Sequence, residues 1–166
     1  MTFTLRPAVP DDAPALLCLQ LQLDRETRFM LLEEGERSSD PAGLRARLEN
    51  PGPTSCFWLA EQQGEPIGYL ALFGHSARRQ RHEAYIVVGV LQAASGRGVG
   101  SALFQAAERW ARERGLGRLE LTVMVHNRAA VALYHKMGFV VEGLRRHSLV
   151  VDGNPVDEYL MAKLLT

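Results

Sequence analysis

Very little in this chain is suited to crosslinking, metal capture or membrane insertion. Its 166 residues include 2 cysteines, Cys18 and Cys56, far apart and in no CxxC arrangement. The opening Met1-Thr2-Phe3-Thr4-Leu5-Arg6-Pro7 has no basic region followed by an apolar stretch, so no export signal is expected. Both thiols are therefore expected to be reduced, in a cytoplasmic protein. No run of about 18 apolar residues occurs, which excludes a spanning helix. The 5 histidines (His75, His82, His126, His135 and His147) lack HExxH-type spacing, so no metal site is expected. Net charge is missing too: 19 basic and 19 acidic side chains cancel. That balance argues against non-specific binding to nucleic acid or membranes. Repeats, low-complexity tracts and long linkers are absent.

What is present is an ordinary globular composition, 46% hydrophobic. The length suits a single domain over residues 1–166, with a core that needs no disulfide. Thr2 to Arg6 reads as a strand. Pro10-Asp11-Asp12 gives a turn and an N-cap for a helix from Ala13 to Leu23, with Cys18 expected in its apolar face. Asp24 to Asp40 is charged and irregular, either a covering loop or a broken helix around Phe29-Met30-Leu31-Leu32. Asp40-Pro41 starts another helix, with Leu44 and Leu48 inward. Ser55–Gln62 and Pro66–Gly74 form a hairpin.

Glu83 to Leu91 is continuously apolar, as in a strand buried on both faces. A glycine-rich loop follows, then a helix with Val99, Ala102, Leu103, Ala106, Ala107, Trp110 and Ala111 at helical spacing. Gly115 ends that helix as a left-handed cap. Arg118 to Val125 alternates as a strand, and strand-helix-strand at this length implies a parallel, right-handed connection. Asn127 opens a helix that Gly138 ends. Phe139–Val151 and Pro155–Leu164 form a closing hairpin across Asp152-Gly153-Asn154.

The loop Ser95-Gly96-Arg97-Gly98-Val99-Gly100-Ser101 carries the chemistry. Glycines let a ligand approach the main chain, and the helix start offers unpaired N–H groups with partial positive charge. Phosphate is the natural guest, and Arg97 adds a charge-assisted contact. The GxGxxG dinucleotide spacing fails, because Ser101 and Leu103 stand where glycine is needed, and the P-loop motif is absent.

The segment Val90 to Leu103 resembles the acetyl-CoA pyrophosphate loop of the GNAT N-acetyltransferase superfamily, Q/R-x-x-G-x-G/A, with Ser95 at the first position. Asn127-Arg128-Ala129-Ala130-Val131-Ala132-Leu133-Tyr134-His135-Lys136-Met137-Gly138-Phe139 is similar to that superfamily's N-x-x-A-x-x-L-Y-x-x-x-G-F block. The ending Glu142-Gly143, Arg145, Asp152-Gly153, Asp157 and Met161 resembles small-molecule and amino-acid-type members.

The resemblance implies an α/β domain with a twisted, mixed, mostly antiparallel sheet of about seven strands and flanking helices. Its parallel pair should splay after Val88 to admit acetyl-CoA. Val88, Gly89 and Val90 would meet the pantetheine arm, and Ser95, Gly96, Arg97, Gly98, Val99, Gly100 and Ser101 the pyrophosphate. Asn127 would touch the CoA arm or simply cap its helix. Tyr134 would serve the departing thiolate, or pack as a core tyrosine. Glu83, on the same face as Tyr85, would act as base through a water, or sit as a plain strand-start acid beside Arg81 and His82.

For the acceptor the resemblance points to Phe29, Glu33, Trp58, Tyr69, Tyr85 and Arg145. Arg145 would grip a carboxylate or pair with Asp157. Glu33, Glu34 and Glu36 would attract a cationic amine or stand as a solvated run. The implied activity is direct transfer from acetyl-CoA to the primary amine of a small, amino-acid-like molecule, with CoA as product. Protein N-terminal or lysine acetylation and a non-catalytic acyl-CoA-binding module are the alternatives. No nucleic-acid or membrane partner is expected, and a homodimer would be in keeping with the resemblance.

Overall fold

A computed structural model describes residues 2–166. Seven strands, β1 (Thr4–Pro7), β2 (Cys56–Gln62), β3 (Glu65–Gly74), β4 (Glu83–Val90), β5 (Arg118–Met124), β6 (Val140–Val151) and β7 (Asn154–Leu164), form one sheet. Their order is β1-β2-β3-β4-β5-β7-β6. Each neighbouring pair is antiparallel except β4–β5. The helices are α1 (Ala13–Glu26), α2 (Ala42–Glu49), α3 (Val99–Glu113) and α4 (Arg128–Lys136). The mixed, mostly antiparallel sheet expected from sequence is thus the one observed.

Period-2 alternation splits the core in two. Along β3, Leu70 and Leu72 enter a cluster with Leu103, Phe104 and Ala107 of α3. Tyr69 and Ala71 point the other way, joining Leu16, Leu19 and Leu23 of α1 and Leu48 of α2. Local capping ends two of the helices. Gly115 and Gly138 adopt φ of +73° and +94°. Leu116 N bonds Ala111 O while Gly115 N bonds Arg112 O, and Phe139 N bonds Tyr134 O while Gly138 N bonds His135 O. These are paired Schellman bonds, which satisfy the last carbonyls.

Three local expectations are corrected. Asp12 does not cap α1 with its side chain. Its carboxylate instead accepts from Val9 N and from the Arg6 guanidinium, which holds its pKa below the usual carboxylate range. Cys18 is exposed, because Leu16, Leu17, Leu19 and Gln20 already fill the inward face of α1. β4 is not buried on both faces: Ala84, Ile86 and Gly89 are buried while Tyr85, Val87, Val88 and Val90 are half-exposed. The cause is β5, which leaves its neighbour early.

Candidate active site

β4 and β5 pair only at Glu83↔Arg118, Ala84↔Leu119 and Tyr85↔Glu120. The strands therefore part after Tyr85, sooner than the Val88 expected. On the other side β4 stays paired with β3 up to Gly68↔Val90, and Leu91 N bonds Ile67 O at 2.9 Å. Antiparallel alternation then turns the main-chain groups of Tyr85, Val87 and Gly89 toward β3. Ile86 N still meets β5 at the Tyr85↔Glu120 bridge, and beyond it the main-chain groups of Val88 and Val90 face the gap with no partner strand. Gly89 has a different task from the one expected of it. A Cβ there would lie 2.7 Å from Leu23 Cδ1, so its missing side chain lets α1 sit close on the sheet.

The loop after β4 makes a short 3-10 turn at Gln92–Ala94 and then enters α3 through Gly98. Gly96 and Gly98 have φ of +73° and +82°, which glycine alone adopts at little cost. Ala102 N bonds Gly98 O, leaving the amides of Val99, Gly100 and Ser101 at the free end of the helix. Ser95, Gly96, Arg97 and Gly98 are all exposed beside that end. Arg97 donates to Ala93 O at 3.1 Å and Ser95 Oγ to Leu91 O at 3.3 Å. Val99 is buried in the core, so it offers only its amide. The third glycine serves packing: a Cβ on Gly100 would stand 2.9 Å from Leu133 Cδ2 of α4.

At the mouth of the gap sit two tyrosines. Tyr85 Oη and Thr122 Oγ1 are 2.6 Å apart. Tyr134 is buried, with its ring 5.4 Å from that of Phe104. Burial pushes its phenol pKa up, and neighbouring Tyr85 adds to the shift. Tyr134 thus stays protonated across the neutral range. Asn127 caps α4, its Oδ1 accepting from Ala130 N at 3.3 Å. Glu83 lies at the paired start of β4, 3.4 Å from the Arg118 guanidinium and 3.1 Å from Gln80 Nε2. Arg118 also binds Glu120 and Glu142.

The expected acceptor residues are scattered. A cavity of about 500 Å³ opens between the end of α1, the segment after it and the β6–β7 turn; Glu33, Met30, Met124, Leu149 and Val151 are among its walls. Phe29 lies beside it, its ring tilted against that of His126 with ring centres 5.2 Å apart. Tyr69 is buried beneath α1, and burial raises its pKa. Trp58 is not with them: it packs on the α3 side of the sheet, two strands from β4. Arg145 is exposed on the edge strand β6. Its expected partner Asp157 instead accepts from His147 N at 2.7 Å.

Sequence reasoning missed the fastenings of this cavity. Arg37 binds the buried Asp24 at 2.7 Å, and Arg28 reaches Asp152 at 3.2 Å. The segment after α1 is therefore an irregular cover, tied at both ends. Thr122 was missed as well, since a threonine in an alternating strand carries no signal of its own.

Among curated proteins, the chain is 29% identical over 155 residues to the L-amino acid N-acetyltransferase AaaT of Escherichia coli, covering 91% of this chain and 85% of that one. It is 36% identical over 90 residues to the uncharacterized N-acetyltransferase YdgE of Bacillus subtilis, covering 54% of this chain and 57% of that protein. A crystal structure of a GNAT-family acetyltransferase from Streptococcus pneumoniae matches with TM-score 0.91 and 29% identity, covering 99% of this chain and 100% of that one. The yncA acetyltransferase of Salmonella typhimurium, solved with acetyl-CoA, shares the fold at TM-score 0.88 and 23% identity, over 100% and 95% of the two chains. The acetyltransferase (GNAT) family model matches residues 18–139, the stretch that holds the splayed strands, the glycine loop and the Asn127–Phe139 block, and the chain belongs to that family.

Proposed function

We propose that the protein is an acetyl-CoA-dependent N-acetyltransferase that moves an acetyl group directly to the primary amine of a small, amino-acid-like molecule. The observation that carries this reading is the gap after Tyr85, edged by the main chain of Val88 and Val90 and ending at the free amides of α3. An extended arm capped by a pyrophosphate matches both ends of it. The amides of Val99, Gly100 and Ser101 and the exposed Gly96–Gly98 turn take the phosphates, with Arg97 beside them.

The amine must be neutral to attack the thioester carbon. The nitrogen–carbon bond then forms and the carbon–sulfur bond breaks; the proton shed by the nitrogen passes through water to Glu83, and the sulfur leaves as a thiolate. Tyr134 donates a hydrogen bond to the departing sulfur. Its raised pKa makes it a donor that keeps its own proton at neutral pH. Glu83 serves as a base through a water; it lies 3.4 Å from the Arg118 guanidinium and two residues along one face from Tyr85. The cavity under the residue 27–34 cover receives the acceptor, and a cover tied down at Asp24 and Asp152 favours a small molecule over a peptide. Pairing of two copies along β6 belongs to the same reading, since Val140, Val141 and Leu144 are exposed on that edge; a sedimentation coefficient independent of concentration and equal to a monomer's would end it.

The test is thiol release from acetyl-CoA over a panel of amino acids, alkyl amines and short peptides, with thermal shift by acetyl-CoA alone. Stabilisation by acetyl-CoA with turnover on a small amine is expected, and Tyr134→Phe should cut turnover about a hundredfold at unchanged CoA affinity. No stabilisation at high acetyl-CoA overturns the reading. Turnover confined to peptides overturns the acceptor class.

A further inference from the structure

One buried acid is left without a cation. Glu158 of β7 is 8% exposed, and its carboxylate meets a single donor, Ser148 Oγ at 2.5 Å. A carboxylate offers about four acceptor positions, and among the described residues only Ser148 donates to this one. Burying such a group without a cationic partner is costly. The sheet even places an arginine directly across the ladder, Arg145 opposite Glu158, yet Arg145 stays exposed and forms no ion pair among the described residues.

The position of this acid gives it a use. Its partner on the other strand is Met124, a wall residue of the cavity, and opposed residues send their side chains to one face. Thr122 is two residues before Met124, about 7 Å along β5, on the same face and bonded to Tyr85 at the mouth of the gap. Ser148 stands in a bulge of β6, where the register slips between Arg145 and Leu149. Leu149, Val150 and Val151 continue from it as cavity wall. The bulge thus carries the donor bonded to Glu158 and, next in sequence, part of the cavity wall, while Glu158 itself lies behind that wall beside Met124. Arg25 and Arg28 also line the cavity, with Arg28 drawn to Asp152, while Glu26, Glu33 and Glu34 add negative charge to it.

We propose that Glu158 is the anionic seat of the acceptor's ammonium group, and that the acceptor is a primary ammonium carried on an apolar body. This rests on the acyl-transfer reading of the same cavity. Ser148 is a positioning residue that holds the carboxylate toward the ligand. Met124, Leu149 and Val151 take the apolar part.

The experiment titrates the intact protein with n-butylammonium chloride, with 1-butanol as the neutral control, following amide chemical shifts at pH 7. Acetyl-CoA is titrated in a separate arm. Wild type should respond to the ammonium and far less to the alcohol. Glu158→Gln should weaken the ammonium response about tenfold or more, while binding acetyl-CoA as wild type does. Ser148→Ala keeps the charge and should cost only about threefold. Equal binding of the ammonium by wild type and Glu158→Gln, or none by wild type, overturns the assignment. Loss of acetyl-CoA binding by wild type itself would instead strike the acyl-transfer reading, so the two failures are told apart. If Glu158→Gln does not fold, wild type preferring 1-butanol to n-butylammonium still refutes the proposal, and a Ser148→Ala variant that changes ammonium affinity but not alcohol affinity upholds it.

Discussion

Along the gap between β4 and β5 the groups that would face a ligand in the proposed reading are main-chain amides and carbonyls between Val88 and Ser101. The cavity beyond is walled by side chains from residues 24–34, 124 and 149–152. The first region is fixed by backbone geometry. Its side chains serve packing: Gly89 and Gly100 have no room for a Cβ, and Val99 is buried. The second region depends on pairs that join distant parts of the chain, Asp24 with Arg37 and Arg28 with Asp152. In the proposed reading the donor is held by main-chain geometry and the acceptor is selected by side chains gathered from three separate stretches of the chain.

Several substitutions would break or sharpen that contrast. The largest effect is expected at Gly98, where a Cβ meets no atom within 4 Å but φ is +82°. Gly98→Glu places a carboxylate at the anion end of α3 and strains the turn. Acetyl-CoA affinity, read by calorimetry on folded protein, should fall about a hundredfold or more. Unchanged affinity would remove the loop from the donor site.

Next comes the fastening of the acceptor region. Asp24→Asn leaves Arg37 half-buried without its partner, and should cost about 2 kcal/mol in chemical denaturation. The same variant should raise the acceptor KM with the acetyl-CoA KM unmoved. Equal effects on both would mean that the two regions are not separable.

The smallest effect is one of pH. Burial raises the pKa of both Tyr69 and Tyr134 in the folded protein. Above their unfolded values near 10, the unfolded chain releases these protons while the folded one retains them. Stability should therefore be full below about pH 10 and decline as pH rises beyond it. Tyr134→Phe should remove part of that decline and leave the neutral range untouched; an identical slope in the variant would show that the phenol is not buried in solution.

Legibility in the sequence tracks the range of the interactions. Asn127 as a cap, Gly115 and Gly138 as helix ends, and the Asp152-Gly153 turn were all readable, because each is settled by neighbours within a few residues. The glycine loop was readable for the same reason, although the role of Gly100 was not: its constraint is Leu133, on another helix. Trp58 and Tyr69 lie on one hairpin, which reads from the sequence as one side of the acceptor site. Opposite faces of the sheet separate them, as Trp58 enters the α3 core and Tyr69 the α1 core. Arg145 and Asp157 looked like a cross-strand pair. The β6 bulge shifts the register and gives Asp157 to a main-chain amide instead.

By itself, then, the sequence determined the order of strands and helices, the donor loop and the capped helix behind it. Hydrophobic period, glycine at left-handed φ and helix caps are local physics, repeated wherever the pattern occurs. Tertiary structure alone decided that β4 and β5 separate after Tyr85, that Asp24 anchors the cover through Arg37, and that Glu158 stands buried beside Met124 with one hydroxyl for company. Those depend on contacts between residues far apart in the chain, where register and burial, not residue type, assign the partner.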